Sequence, residues 1–483
     1  MQILEWGESG RDGDERVQPL AQSANDGENW TTVVIGRNGT KKSALLRLIL
    51  DAVLEIPIRR ATHSRHARPI VRLAQLEHPA DLVIAMAGTP FDRFPKQSII
   101  VGSAPGKERR HLYRYLGLKA VNGAVGTTHV LRSLAMSLID SIGRSDTASI
   151  HARQIFDFLG LMPNLRMNLR RHPSLNVSRA SRAAGETRSM GSLDNKAARK
   201  VLQGIKDRLF TFDSEESESA RKLVVPRAAI KSTVDCLARL PAYFEFNFEG
   251  DRLSSPAFSE KVSPEIVASL LAWGLLAVES IQVATVDNPN DRLDADSDLS
   301  SGQWQLLSSM LGLSLVVKDH SLILVDEPEN SLHPEWQRAY VDLLSDVLSN
   351  YRGCHTVIAT HSPLIASGIP TRSGNVIRLV PNADGPLGVK VCDVDMAYGW
   401  DASDVYHELF GMKSTRAPGF VEMTDRALEL VRESSSDEAD VAALRDLATE
   451  LVETAKSLPP RDPMRTIVNA INAAADEAGG AEE

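Results

Sequence analysis

The sequence predicts an α/β fold on a mainly parallel sheet, and three observations carry that expectation. Apolar runs of strand length, Trp30–Ile35 (WTTVVI), Leu82–Met86 (LVIAM), Leu322–Val325 (LILV) and Thr356–Ala359 (TVIA), read as buried strands. Helical periodicity follows the first run at Ser43–Leu54 and the third at Pro334–Leu348, which is the rhythm of parallel βα units. Glycine turns punctuate the pattern at Gly36 and at Gly88-Thr89-Pro90.

Along the chain, residues 1–30 are polar and read as a lead-in or an edge hairpin. Ser98–Val101 and Arg114–Leu118 are candidate sheet edges. Between about 126 and 285 the pattern turns mostly helical, with Leu131–Ile142, Ile150–Leu159 and Ile266–Val278 as amphipathic candidates. Residues 172–195 lack apolar periodicity and read as a mobile loop. A helix over Trp304–Val317 precedes the third strand, and after Trp400 the chain is helical and acidic. The expected division is 1–125 and 286–395 for the two halves of one sheet-bearing head, 126–285 for a mainly helical insertion, and 396–483 for a helical tail.

With 43% hydrophobic and 24% charged residues, the chain has the composition of an ordinary globular protein. A net charge of −9 argues against wholesale wrapping around nucleic acid. Local basic runs remain, at Lys107–Arg114 and at Arg166–His172, and each reads as a solvated face or a groove. Cys236, Cys354 and Cys392 are too widely spaced for a metal knuckle or a disulfide framework and suit a reducing compartment. No signal peptide or membrane-spanning stretch is visible, so a cytoplasmic location with no membrane partner is expected.

Four segments carry chemistry. Gly36-Arg37-Asn38-Gly39-Thr40-Lys41-Lys42-Ser43 lies between a strand and a helix, the setting of a phosphate-binding loop. Backbone amides around Gly36, Asn38 and Gly39 would face the phosphates, Lys42 would reach their oxygens, and Ser43 would hold Mg²⁺. Lys41 stands where such loops usually have glycine; the chain is entering the helix there, so a side chain is tolerable. The strand at Leu322–Val325 ends in Asp326, suited to the metal's shell, and Glu327, suited to polarising a water. Ser300-Ser301-Gly302-Gln303 opens a helix and forms a second anion cradle, which is economical only if a site is completed across a dimer. His361 follows the fourth strand, where an imidazole can bond a γ-phosphate.

In this order and these contexts the four segments resemble the ABC-type ATPases, a P-loop NTPase fold. The resemblance makes Lys42 and Ser43 the Walker A pair and Ser300, Ser301, Gly302 and Gln303 the signature. It makes Asp326 the Walker B carboxylate, Glu327 the catalytic acid, Ser331–His333 the D-loop and His361 the switch histidine. The Q-loop glutamine has two candidates, Gln97 and Gln154. The strings DEPENSLHPEWQ and IATHSPLIAS, with Gly88–Pro95 and Gly399–Gly411, narrow the resemblance to the OLD, RecF-like and SMC-related group. Within it, the chain looks like the stand-alone ATPases of bacterial anti-phage systems of the Septu and retron-associated type. That resemblance implies ATP and Mg²⁺ as ligands, ATP hydrolysis, a homodimer or higher homo-oligomer, and a separate nuclease or toxin as effector. DNA is a further candidate partner. The alternatives are a RecF-like DNA-repair ATPase, a transporter's ATPase subunit, and a nucleotide-binding scaffold without turnover.

Overall fold

The computed structural model describes residues 2–9, 15–21, 27–55, 68–73, 80–95, 112–118, 127–142, 148–175, 193–210, 230–250, 252–394, 397–433 and 438–480. Ser98–Val101, Gln97, the Lys107–Arg110 run and most of the 172–195 stretch lie outside these.

The chain opens with β1 (Ile3–Ser9), β2 (Glu15–Pro19) and β3 (Trp30–Ile35), then α1 (Lys42–Val53), β4 (Arg68–Leu73), β5 (Leu82–Ala87) and β6 (Tyr113–Leu116). The next stretch holds α2 (Thr127–Ser141), α3 (Ala148–Phe158), β7 (Asn164–Arg171), α4 (Asn195–Phe210), α5 (Ile230–Arg239), β8 (Tyr243–Glu249), β9 (Arg252–Ser254), α6 (Pro264–Ala272), β10 (Leu276–Val283) and β11 (Leu293–Asp294). A helix follows in three parts: α7 (Ser301–Leu306), a π turn over Leu307–Leu311, and α8 (Gly312–Val316). After it come β12 (Ser321–Asp326), α9 (Pro334–Leu348), β13 (His355–Ala359), α10 (Pro363–Ala366), β14 (Gly374–Pro381) and β15 (Val389–Asp393).

The main sheet has the order β15-β14-β3-β13-β12-β5-β6, with every pair parallel except β14–β15. Every residue of β5, β12 and β13 is buried, which is why these strands read as unbroken apolar runs. Helix α1 packs on one face through Leu45, Leu46, Ile49 and Leu50, joining Val34, Val83, Leu324 and Val357 in a single apolar cluster. The expected edge hairpin is present: β1 pairs with β2, and β4 completes a small antiparallel sheet.

A polar knot ties this N-terminal sheet to the main one. His355 accepts from the Ile3 N–H through Nδ1 (3.1 Å) and lies 3.1 Å from Thr32 Oγ1 through Nε2. Asn375 receives the Thr32 hydroxyl and the Trp30 indole at 2.9 and 2.8 Å. Burial lowers the His355 pKa to about 3, so the imidazole stays neutral inside the fold.

The described residues of the 126–285 segment hold five α-helices, α2 to α6, and also strands that the helical reading left out. Strands β7, β8, β9 and β10 lie within it and, with β11, form an antiparallel sheet of order β11-β10-β7-β8-β9. Its sequences alternate, Tyr243–Glu249 (YFEFNFE) burying Phe244, Phe246 and Phe248 and leaving the others outward. Phe156 of α3 packs on Phe248 with ring centroids 5.2 Å apart. The stretch Ile266–Val278, expected as one helix, is the end of α6 and the start of β10, broken at Gly274, whose φ of 71° ends the helix.

Two compact units divide the chain, Met1–Val405 and Tyr406–Glu483. Among its described residues the second holds α12 (Pro418–Glu433), α13 (Glu438–Ala455) and α14 (Met464–Gly480), after α11 (Ala402–Glu408) at the boundary. Its core is Ala427, Leu430, Leu444, Ala448, Leu451, Val468 and Ile471. Among the described residues no helix is long and apolar enough to cross a membrane.

Candidate functional site

In a parallel sheet the strand ends carry the loops, and ligands bind beyond the carboxyl ends. The carboxyl ends of β3, β13, β12 and β5 lie side by side here, and the first three deliver the polar groups of the site. Beyond β3, the 36–41 loop leads into α1 at Lys42. The Lys42 ammonium donates to the Gly36 carbonyl (2.8 Å) and to His361 Nε2 (2.8 Å). Burial lowers its pKa to about 8, against the pull of Glu327, Glu329 and Asp326. His361 is lowered by burial and then by Lys42, with Glu327 opposing, so the ring is neutral and accepts from the lysine.

Ser43 donates its hydroxyl to Asp326 Oδ1 at 3.0 Å. Asp326 Oδ2 is buried and makes no hydrogen bond, and burial foremost pushes this carboxyl up to about 7. A buried carboxylate with one oxygen unsatisfied beside a hydroxyl is a donor set of hard oxygens, which fits Mg²⁺. A bound dication would also reverse the upward shift.

Glu327 continues the ladder by donating its N–H to the Ala359 carbonyl (2.8 Å), yet its φ is 49°. A left-handed glutamate is strained by roughly 1–2 kcal/mol, and such strain concentrates at functional sites. Its carboxylate lies between Asn330, whose Nδ2 donates to Oε2 at 3.1 Å, and His361, whose Nε2 is 3.7 Å from Oε1. Glu329 accepts from the His361 N–H and the Thr360 hydroxyl; burial raises its pKa and these bonds oppose the rise.

Gly36, Lys42, Ser43, Asp326, Glu327 and His361 thus meet in one place. Asn38 and Gly39 are exposed on the loop. The Ser300–Gln303 segment makes its contacts elsewhere. Ser300 caps α7, its hydroxyl accepting from the Gln303 N–H while the Gln303 side chain accepts from the Ser300 N–H. Ser301 is exposed, and Gly302 lies so close to Ser331 that an added Cβ would be 2.5 Å from its carbonyl oxygen. Of the two glutamine candidates beyond β5, Gln154 sits on α3 with its Oε1 3.3 Å from His151 Nδ1, and Gln97 lies outside the described residues.

Sequence reasoning gave no site role to Glu329, Asn330, Thr360, Gln305 or Gly88. The first two stand inside the quoted DEPEN string, but only the contact between β12 and β13 reveals what they hold. Gln305, at the end of α7 before the π turn, donates to the Pro328 carbonyl (3.1 Å). Ser309 caps the Gln305 carbonyl at 2.7 Å.

Lys41 corrects a second expectation. The chain does enter the helix there, the Lys41 carbonyl accepting from the Leu45 N–H (2.9 Å), but Lys41 lies in the left-handed region, at φ 67° and ψ 23°, where a side chain is strained. Lys41→Gly is therefore expected to stabilise the fold by about 0.5–1 kcal/mol, the relief exceeding the entropy glycine adds to the unfolded chain. Chemical denaturation checks this; equal or lower stability of the variant would show that the loop does not strain Lys41.

A family model described as "AAA domain, putative AbiEii toxin, Type IV TA system" matches residues 132–367, which include the 300–303, 326–327 and 361 segments. The 36–43 loop lies outside that match, and the main sheet supplies it by setting β3 against β13. Over residues 132–367, just under half of its length, the chain is similar to that AAA-domain family. Septu protein PtuA of Bacillus thuringiensis is 29% identical over 117 residues, 22% of this chain and 26% of PtuA. Protein ea59 of Escherichia phage lambda is 42% identical over 72 residues, 15% of this chain and 14% of ea59. The chain thus spans about a quarter or less of the length of these curated relatives. Among solved structures, an Smc head bound to the C-winged helix domain of ScpA aligns over 82% of this chain and 98% of its own, at 11% identity and a TM-score of 0.33.

Proposed function

We propose that this chain binds and hydrolyses ATP at the 36–43 loop, as a dimer whose closure regulates a separate nuclease or toxin in anti-phage defence. The observation that carries the catalytic part is the meeting of Lys42, Ser43, Asp326, Glu327 and His361 at three adjacent strand ends. On ATP binding, Lys42 exchanges the Gly36 carbonyl and His361 for β- and γ-phosphate oxygens, and the freed His361 bonds the γ-phosphate. Ser43 and Asp326 are the residues that would hold Mg²⁺, which supplies charge neutralisation between the phosphates. Glu327 orients the attacking water and takes up its proton density; Asn330 fixes the carboxylate. Ser300 and Gly302 of a second copy close over the γ-phosphate, a reading supported by the exposure of Ser300 and Ser301 at the start of α7. The similarity to a Septu protein supports the defence role.

The test is steady-state ATP hydrolysis by the purified chain with Mg²⁺, beside Lys42→Ala. Loss of at least about 100-fold in nucleotide affinity, with turnover abolished, is the expected result, since a partly buried cation facing phosphate is removed. Wild-type turnover in Lys42→Ala would sink the assignment. Co-purification from the native host then identifies the effector, and an unpartnered chain there would remove the gating role.

A further inference from the structure

We propose that Glu329 is a positioning residue for His361, and that it closes a hydrogen-bonded ring coupling the Ser331–His333 segment to the nucleotide site. The inference rests on the ATPase reading for its kinetics and on geometry alone for its structural part.

The two carboxylate oxygens of Glu329 are divided between neighbours on the other loop. One accepts from the His361 backbone N–H at 2.5 Å, the other from the Thr360 hydroxyl at 2.8 Å. Thr360 Oγ1 in turn accepts from the Ser362 N–H (2.9 Å), and the Ser362 hydroxyl donates to Gln337 Oε1 (2.7 Å). The Gln337 amide donates to the Leu332 carbonyl (2.9 Å), and the Leu332 N–H returns to the Glu329 carbonyl (3.0 Å). The circuit is closed. Thr360 and Ser362 are buried, so its bonds are poorly replaced by water.

The loops after β12 and β13 therefore move as one body. His361 reaches Lys42 and Glu327 only because its backbone is held by Glu329, and Glu329 is held by the turn that carries Ser331–His333. That turn also receives Gly302. A displacement at Ser331–His333 is passed to His361 through hydrogen bonds, without a mobile element between them. Glutamate suits the post better than any neutral residue, because both donors point at it and only a carboxylate accepts from both without offering a proton.

The experiment compares full-length wild type, Glu329→Ala, Glu329→Gln, His361→Ala and the Glu329→Ala/His361→Ala double variant. Two readouts are taken, ATPase kcat and KM, and backbone hydrogen exchange of the peptide spanning 357–363. Glu329→Ala is expected to speed exchange at His361 about tenfold or more as its acceptor is lost. It should lower kcat by roughly tenfold or more while KM changes little, and the double variant should be no slower than His361→Ala, as for residues acting through one another. Glu329→Gln keeps an acceptor for the His361 N–H and should retain protection and most of kcat, which separates positioning from misfolding of the alanine variant. Unchanged exchange in Glu329→Ala, or multiplicative losses in the double variant, would overturn the proposal. If the wild type shows no turnover, the ATPase reading fails, and the exchange result still decides whether Glu329 holds His361.

Discussion

Glu327→Gln leaves ATP bound and nearly unhydrolysed, with kcat reduced by roughly 10²–10⁴-fold, the range for loss of a general base. The substitution is close to isosteric, so the bond from Asn330 Nδ2 to the side chain survives if the new carbonyl oxygen takes the Oε2 position. What disappears is the acceptor that draws the proton from the attacking water. Glu327 is also the first of the charges that hold the Lys42 proton in place, against burial that brings its pKa to about 8. Removing it lowers that pKa further, so ATP affinity of the variant should weaken as pH rises toward 8 and be closest to wild type near neutrality. Steady-state kinetics at neutral pH, with sedimentation in ATP to detect a trapped dimer, reads both effects. Turnover at the wild-type rate would remove Glu327 from the mechanism.

Gly88→Ala is the second substitution with a large expected effect, and it touches no ligand. Strand β5 pairs with β12 up to Asp326–Ala87, and the Gly88 N–H then donates to the Asp326 carbonyl at 3.0 Å. A Cβ on residue 88 would lie 2.1 Å from the Glu327 carbonyl oxygen and 2.7 Å from Gln305 Nε2. The glutamine can swing away; the carbonyl cannot, because it belongs to the backbone that sets the left-handed turn of Glu327. Either the strand ends part or Glu327 shifts. Overpacking of this kind costs about 1–3 kcal/mol. A displacement near 1 Å at a reacting group lowers rate by about 100-fold. Thermal unfolding and kcat measured together check the prediction; a variant with wild-type values of both would show that the two strand ends have room to separate.

The legible part of the fold was the part whose strands are buried on both faces. Thr356–Ala359 and Leu322–Val325 announce themselves because nothing polar interrupts them, and the residues just past them, His361 and Asp326, inherit a position from the strand. The antiparallel sheet was hidden for the opposite reason. In Asn164–Arg171 (NLRMNLRR) every second side chain is polar, and beside long helices that alternation looks like an irregular amphipathic face. Gly274 concealed a boundary, since a single glycine in Ile266–Val278 breaks no apolar pattern although its conformation ends α6. Within the site, Lys42, Ser43, Asp326 and Glu327 follow from local context. Glu329 and Asn330 do not, because their partners stand on the next strand. Lys41 showed that spacing predicts a loop's existence better than the backbone angle at one of its residues.

The strand order has a consequence for how the molecule comes into being. Both neighbours of β3, namely β13 and β14, are encoded after residue 354, and the bond from the Cys354 N–H to Asn29 Oδ1 joins residues 325 apart. At a ribosomal pace of about 5–20 residues per second, β3 waits roughly tens of seconds for a partner. During that interval Trp30–Ile35 is an apolar ribbon with two unpaired edges, the kind of segment that seeks other nascent chains. The 36–43 loop is synthesised about 300 residues before both strands that flank β3, and it gains its shape only once they have emerged. Prematurely terminated chains would therefore carry the loop's residues without its architecture.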